Sequence, residues 1–540
     1  VDFGAVIRDA TRCLRAAEKA EDGGEETGAG GSAGASIVRD RLLAGLRFLL
    51  VDEYQDINGD HYALLSAVAG RKLQTEEDRV CLMVVGDDDQ NIYAFDGANV
   101  RFIRQFESDY RARRFTLVEN YRSTAHIIDC ANRLIAPARE RMKAGQAIRV
   151  NHARRGEPAG GAWSRRDPLA AGRVHVLEVP QALDQEVRIA LAELQRLHGL
   201  ESGQARGWGR FAVIARRWED LEPLAALARQ QGIPVQLVRE GDQLSLHLTR
   251  QGQLLLDLLR GSRRRAPNTR ILLRAGALAR WFRRRFRRPA DGAIDHPFEA
   301  ALAHFIVDTE STAPGSPRVV AELVESVYEF GAGARSAGAG RPNAPLLLMT
   351  AHRAKGLEFA HVLVLDGGGW QGRSDDERRL FYVAMTRARG TLTLCERLGG
   401  RHPFVSEMDG LTLRTRPPAP PPVGALDTRI WQADPSHVVL SWPGRFAPGA
   451  PIHRRLAGLD VGMPLQLRPR PDGQPGWELR DAEGVVVTRM SSKFRPPAGA
   501  LIAVRVAAIM VRHARADEEG LRVRRWELAL PEIEYRRGPQ

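Results

Sequence analysis

Two short apolar runs end in carboxylates: F-L-L-V-D-E at 48–53 and C-L-M-V-V-G-D at 81–87. A continuous apolar run whose C-terminal end carries polar chemistry is the mark of a strand buried in a parallel sheet. L-L-L-M-T (346–350), H-V-L-V-L-D (361–366) and T-L-T-L-C (391–395) repeat the design. Apolar residues at helical spacing lie around them, at 2–20, Asp60–Ala69 and Ala125–Leu134. Strands alternating with helices predict an α/β fold built on parallel sheets.

The rest of the 540 residues divides by texture, as a chain too long for one core must. Residues 21–36 are rich in Glu, Gly, Ala and Ser and read as a loop. Residues 246–344 are rich in Leu and Arg and helical in pattern, which predicts a helical, basic insertion. Residues 399–427 hold R-P-P-A-P-P-P-V and read as a proline-rich linker. From 428 to 540, the runs H-V-V-L-S-W, M-P-L-Q-L-R, G-V-V-V-T-R and L-I-A-V-R-V predict a small β-rich domain. A net charge of +13 favours a polyanionic partner. No apolar run reaches the length of a spanning helix, so no membrane partner is expected. Cys13, Cys81, Cys130 and Cys395 form no C-x-x-C pair. That argues against a zinc ribbon or a disulfide framework and predicts a cytoplasmic protein.

Five strings carry chemistry. In L-L-V-D-E-Y-Q-D (49–56), adjacent carboxylates at a strand end suit phosphoanhydride hydrolysis. Asp52 suits a metal-site role, and Glu53 can orient and deprotonate water. In V-V-G-D-D-D-Q-N-I-Y-A-F-D-G-A (84–98), Gln90 is suited to sensing a terminal phosphate, and Tyr93 and Phe95 to stacking on unpaired bases. In L-V-E-N-Y-R-S-T (117–124), Tyr121 offers a flat face for a purine and Arg122 a fork for phosphate oxygens. In M-T-A-H-R-A-K-G-L-E-F (349–359), Thr350, His352 and Lys355 suit a nucleic-acid backbone, and Glu358 a ribose hydroxyl. In E-R-R-L-F-Y-V-A-M-T-R-A-R (377–389), Arg387 is the candidate arginine finger. Each string alone also fits a plain reading: a solvated acidic turn, a capped helix start, a structural histidine.

Taken together and in this order, the strings D-E-Y-Q-D, V-G-D-D-D-Q-N-I-Y, N-Y-R-S-T, T-A-H-R-A-K-G-L-E-F and V-A-M-T-R-A-R resemble motifs II to VI of the UvrD/Rep/PcrA group of superfamily 1 helicases. The resemblance covers roughly residues 1–398. It implies part of a first RecA-like domain at 1–116, and a second at 117–245 and 345–398 interrupted by the insertion at 246–344. It further implies ATP and Mg²⁺ as cofactors and 3′-to-5′ movement along single-stranded DNA, with single-strand to duplex junctions as substrates. Carried over, Glu53, Gln90, Arg122 and Arg387 are catalytic. Asp52, Tyr121, Arg122, Glu358 and Arg387 contact the nucleotide, and Asp52 and Glu53 form the metal site. Tyr93, Phe95, Thr350, His352 and Lys355 contact DNA.

The sequence departs from that pattern in places. No G-x-x-x-x-G-K-[ST] loop occurs in it. Without that cradle of backbone N–H groups and its lysine, the chain alone is expected to have little ATPase activity. It begins at Val1 and reads as a segment of a longer polypeptide. Asp96 stands where many relatives carry Arg. From Arg263 to Arg288 run eleven arginines and no acid, with Trp281, Phe282 and Phe286 between them. That pattern makes Arg283, Arg284 and Arg285 candidate DNA contacts, or else a solvated basic helix face. The β-rich domain is a candidate protein- or nucleic-acid-binding module. Two other readings remain at this point: a non-catalytic DNA-binding or regulatory module derived from a helicase, or the tail of a multidomain helicase fusion.

Overall fold

The computed structural model describes residues 3–22, 43–70, 80–93, 97–139, 141–201, 207–238, 246–261, 266, 268–271, 317–333, 345–400, 402–418, 427–471, 474–514 and 518–537. The chain divides into two compact units. Val1–Tyr121, Ile128–Arg155 and Gly372–Val383 form the first; Arg122–Ile127, Gly156–Gln371 and Ala384–Gln540 form the second.

In the first unit, β1 (Phe48–Val51) pairs in parallel with β2 (Cys81–Val84), Val51 opposite Val84. Successive side chains on a strand point to opposite faces. Val51, Leu82 and Val84 turn onto Tyr54, Ile57, Phe102 and Phe106. Phe48, Leu50 and Met83 turn the other way and are 71%, 73% and 57% exposed. The expectation of strands buried on both faces is therefore corrected for β1 and β2. Among the described residues, helices Gly59–Val68 and Arg101–Tyr110 cover one face of this pair, and the alternate apolar residues on the other face are exposed.

The second unit is built on a seven-stranded sheet. Its strands are β3 (Val174–Val179), β4 (Phe211–Ala215), β5 (Val235–Val238), β6 (Leu346–Thr350), β7 (Phe359–Val364), β8 (Ala388–Arg397) and β9 (Thr412–Thr415). They lie in the order β9-β3-β8-β7-β4-β6-β5, every pair parallel. Parallel strands need crossovers long enough for helices. Leu183–Leu200 and Trp218–Gln230 provide two, and their apolar faces close the core over Leu177, Phe211, Val213, Leu348 and Leu363. The chain thus adopts the α/β class its sequence predicts, with a large parallel sheet. Strand β9 lies inside the stretch read as a linker, paired with β3 from Val174 to Leu177.

Of the insertion, the described residues form helices Arg250–Arg260 and Val320–Gly333 and a two-residue antiparallel pairing, Arg270–Ile271 with Arg318–Val319. Beyond Asp427 the unit is β-rich. Strands β10 (Thr428–Gln432), β15 (Arg525–Arg536) and β14 (Ala500–His513) form one antiparallel sheet; β11 (Gln466–Pro469), β12 (Trp477–Arg480) and β13 (Val486–Arg489) form another. H-V-V-L-S-W is not a strand; Val438 makes a lone bridge to Met490. Pro435 and Pro443 each start a 3₁₀ turn at one end of the run, and the two turns bend the chain out of a ladder. This β-rich part is fastened to two neighbours. Ile430 enters the core beneath helix Trp218–Gln230, where Arg229 also pairs with Glu532 at 2.7 Å. Arg250 forks onto both oxygens of Glu527 and donates to the carbonyls of Leu456 and Leu459. Among the described residues, no helix is long and apolar enough to cross a membrane.

Candidate functional site

In the first unit the chemistry begins where β1 ends. Asp52 is exposed, and one of its oxygens accepts the Glu53 N–H at 2.9 Å. Glu53 has φ 52° and ψ 39°, the left-handed region, where a β-carbon crowds the following carbonyl. That bend starts a 3₁₀ turn, Tyr54–Asp56, held to the neighbouring strand by Tyr54 N–H to Val85 O at 2.9 Å. It also brings the Glu53 carboxylate over Gln55, whose amide donates to it at 2.5 Å.

Gln55 is fully buried, and its Oε1 accepts the Asp87 N–H at 2.9 Å. A glycine at 86 leaves room for this approach without displacing either neighbour. A β-carbon there would sit 2.7 Å from Gln55 Oε1 and 2.8 Å from Ile103 Cδ1. Asp87 in turn accepts Gln90 Nε2 on Oδ2 at 2.8 Å and Lys143 Nζ on Oδ1 at 2.5 Å. The first unit therefore joins the expected water-activating acid to the expected phosphate sensor through Gln55 and Asp87. Burial alone pushes the Asp87 carboxyl up; the Lys143 ammonium and the Lys143 and Gln90 hydrogen bonds outweigh it and hold the group below the usual range.

Tyr93 is half-buried, and Phe95 and Asp96 lie outside the described residues. Tyr121 is 70% exposed, its ring open to solvent, while its carbonyl accepts Arg154 Nη1 at 3.1 Å.

In the second unit, three separate strings are knitted together. Arg122 Nε donates to Glu358 Oε2 at 2.6 Å, and Arg389 Nη1 to Glu358 Oε1 at 3.1 Å. Ser123 Oγ donates to Ala388 O at 2.6 Å, Thr124 N–H to Arg389 O at 3.1 Å and Phe359 N–H to Arg387 O at 2.9 Å. The carboxylate expected to meet a ribose hydroxyl is thus gripped by two guanidinium groups. Arg387 is 2% exposed; its Nη1 donates to Leu357 O at 3.3 Å and its Nη2 to Thr386 Oγ1 at 3.2 Å. The candidate finger is sheathed in protein. Thr350 and Lys355 are also buried, and His352 is half-buried on the four-residue helix Ala351–Ala354 that follows β6. Arg283, Arg284 and Arg285 lie outside the described residues.

Gln55, Asp87, Lys143 and Arg389 belong to these networks and were not singled out from sequence. Gln55 and Asp87 stood inside quoted strings, where a buried amide two residues after a carboxylate was the available signal. Lys143 had none, since 56 residues separate it from Asp87.

Residues 2–111 match the family described as UvrD/REP helicase N-terminal domain, and residues 345–395 the UvrD-like helicase C-terminal domain. The chain is 26% identical over 423 residues to DNA helicase II of Haemophilus influenzae, a match covering 66% of this chain and 56% of that protein. It is 29% identical over 416 residues to DNA helicase II of Escherichia coli, covering 64% and 55%. The chain spans just over half the length of these relatives. Among solved structures, the C-terminal domain of a possible DNA helicase from Lactobacillus plantarum is similar at 16% identity and a TM-score of 0.24, covering 55% of this chain and 98% of that one.

Proposed function

The chain belongs to the UvrD-like superfamily 1 helicases, and from that premise we propose that it serves an ATP-dependent DNA motor moving 3′ to 5′ on single-stranded DNA. The observation that carries the reading is the hydrogen-bonded path from Glu53 through Gln55 and Asp87 to Gln90. Hydrolysis of a phosphoanhydride needs a carboxylate on the attacking water and a neutral sensor at the terminal phosphate. A path linking the two lets the sensor's state reach the acid.

Asp52 and Glu53 suit Mg²⁺, a hard cation that takes oxygen ligands: both are exposed carboxylates on consecutive residues at a strand end. Bound there, the ion neutralises charge on the phosphates. In the second unit, Arg122 supplies a guanidinium group for phosphate oxygens and Glu358 an acceptor for ribose, while Arg387, 2% exposed, reaches a phosphate only once it is uncovered. Tyr121 supplies a flat face for adenine. Thr350, His352 and Lys355, with Tyr93 and Phe95, are the proposed DNA contacts. The β-rich part beyond 428 is the proposed seat of a protein partner, alongside its fastening role.

The test is titration of the full chain with a fluorescent ATP analogue and Mg²⁺, with and without a single-stranded oligonucleotide. Nucleotide binding that Asp52→Asn and Arg122→Ala both weaken, and that the oligonucleotide alters, is the expected result. Oligonucleotide binding with no nucleotide bound at millimolar concentration would point instead to a non-catalytic DNA-binding module.

A further inference from the structure

Three consecutive residues of the first unit each answer one member of its acidic triad. The Arg141 guanidinium grips both oxygens of Asp89 at 2.7 Å, the Met142 N–H donates to Asp88 Oδ2 at 2.7 Å, and Lys143 Nζ reaches Asp87 Oδ1 at 2.5 Å. The two segments run past each other in order, 141 to 89, 142 to 88 and 143 to 87, and Lys143 Nζ also lies 3.4 Å from Asp89 Oδ2. The triad needs such partners, because carboxylate oxygens of the three aspartates lie within 4.8 Å of one another. Like charges that close repel strongly where water is scarce. The Asp89 side chain is fully buried, and those of Arg141 and Lys143 are only 10% and 13% exposed.

Asp87 is the pivot. Its Oδ1 takes Lys143 and the Asp89 N–H, its Oδ2 takes the Gln90 amide, and its own N–H rests on Gln55. The rotamer of this carboxylate bears on where the Gln90 amide points, because that amide donates to it. We infer that Lys143 is a positioning residue for Gln90: its ammonium pins the Asp87 carboxylate against the repulsion of Asp88 and Asp89 and so fixes the sensor. The inference rests on the ATP-hydrolysis reading for its purpose, but the placement it claims is testable without hydrolysis.

The experiment is nuclear magnetic resonance of the side-chain amides in the full chain labelled with ¹⁵N-glutamine. Gln90 is assigned by its loss in Gln90→Asn. In Lys143→Met the Gln90 amide signal should move away from its wild-type position, and in Lys143→Arg it should stay near it. An unmoved Gln90 signal in Lys143→Met overturns the inference whatever the hydrolysis rate. If Lys143→Met does not fold, Lys143→Gln, which keeps a donor but no charge, is read in the same way. ATP hydrolysis measured on the same samples separates the two claims. A tenfold fall in kcat with KM within twofold, rescued by Lys143→Arg, supports both. A moved signal in a chain whose wild type hydrolyses nothing supports the placement by itself.

Discussion

Arg122 and Glu358 lie 236 residues apart in the chain and meet at 2.6 Å, with Arg389 on the other carboxylate oxygen at 3.1 Å. The pair is about two-fifths exposed, 35% for the arginine side chain and 41% for the glutamate. Ion pairs that wet contribute less than about 1 kcal/mol to folding. Arg122→Ala should therefore leave the urea midpoint nearly unchanged while lowering affinity for an ATP analogue by about tenfold or more, the scale of a lost charge-assisted phosphate contact. An equal loss in both measurements would make the arginine merely structural.

The Ser123 hydroxyl has a buried job nearby, capping the Ala388 carbonyl at 2.6 Å. Ser123→Ala strands that acceptor out of reach of water. A loss of about 1–2 kcal/mol in chemical denaturation is expected. A neutral outcome would mean that another donor swings in.

Glu53 holds a left-handed backbone without the freedom of glycine. Such a conformation costs an ordinary residue roughly 1 kcal/mol. Both Glu53→Gly and Glu53→Ala lose the contact to Gln55, and only glycine is relieved of the bend, so Glu53→Gly should be the more stable of the two by about 0.5–1 kcal/mol in chemical denaturation. Equal midpoints for the two variants would mean that the left-handed bend carries no strain.

Glu186 accepts N–H bonds from Asp366 at 2.7 Å and Gly367 at 3.2 Å and an ion pair from Arg397 at 2.9 Å, all in the second unit. Burial, with the nearby Asp366 charge, outweighs Arg397 and pushes its carboxyl up to about 7 from 4.5. A carboxyl that holds its proton more tightly when folded stabilises the fold fully below its unfolded pKa. Stability then falls as pH rises from about 4.5 to about 7 and levels off above. The group's share of that fall is about 3 kcal/mol. Glu186→Gln should flatten the slope in this window relative to wild type, read from denaturation midpoints at successive pH values.

Arg250 satisfies Glu527 and two backbone carbonyls at once. Arg250→Ala leaves a partly buried carboxylate and both carbonyls without it, for a predicted loss of roughly 2–3 kcal/mol. A double-mutant cycle with Glu527→Ala should return a coupling energy above about 1 kcal/mol.

The five apolar runs were legible because each is continuous and bounded by polar chemistry; β1, β2, β6, β7 and β8 all lie on them. The exposure of Phe48 and Leu50 was not legible, since a strand's sequence states what it can bury and not how many layers cover it. Thr412–Thr415 carries no such run and owes its strand to β3, a partner far away in sequence. The run at 437–442 erred in the opposite direction, being apolar enough for a strand but confined between two proline-started 3₁₀ turns. Within the site, the strings gave the reactive residue types. The register between 141–143 and 87–89 is a matter of chain folding, with no periodicity to announce it.

The double fastening of the β-rich part, through Ile430 under one helix and Arg250 from another, has a practical corollary. The prolines of 416–423 cease to be the sole bond between it and the parallel sheet. A single proteolytic nick there yields two polypeptides that still travel as one particle through a sizing column and part only in denaturant. The same stretch is accordingly a natural opening for new chain termini or an inserted reporter.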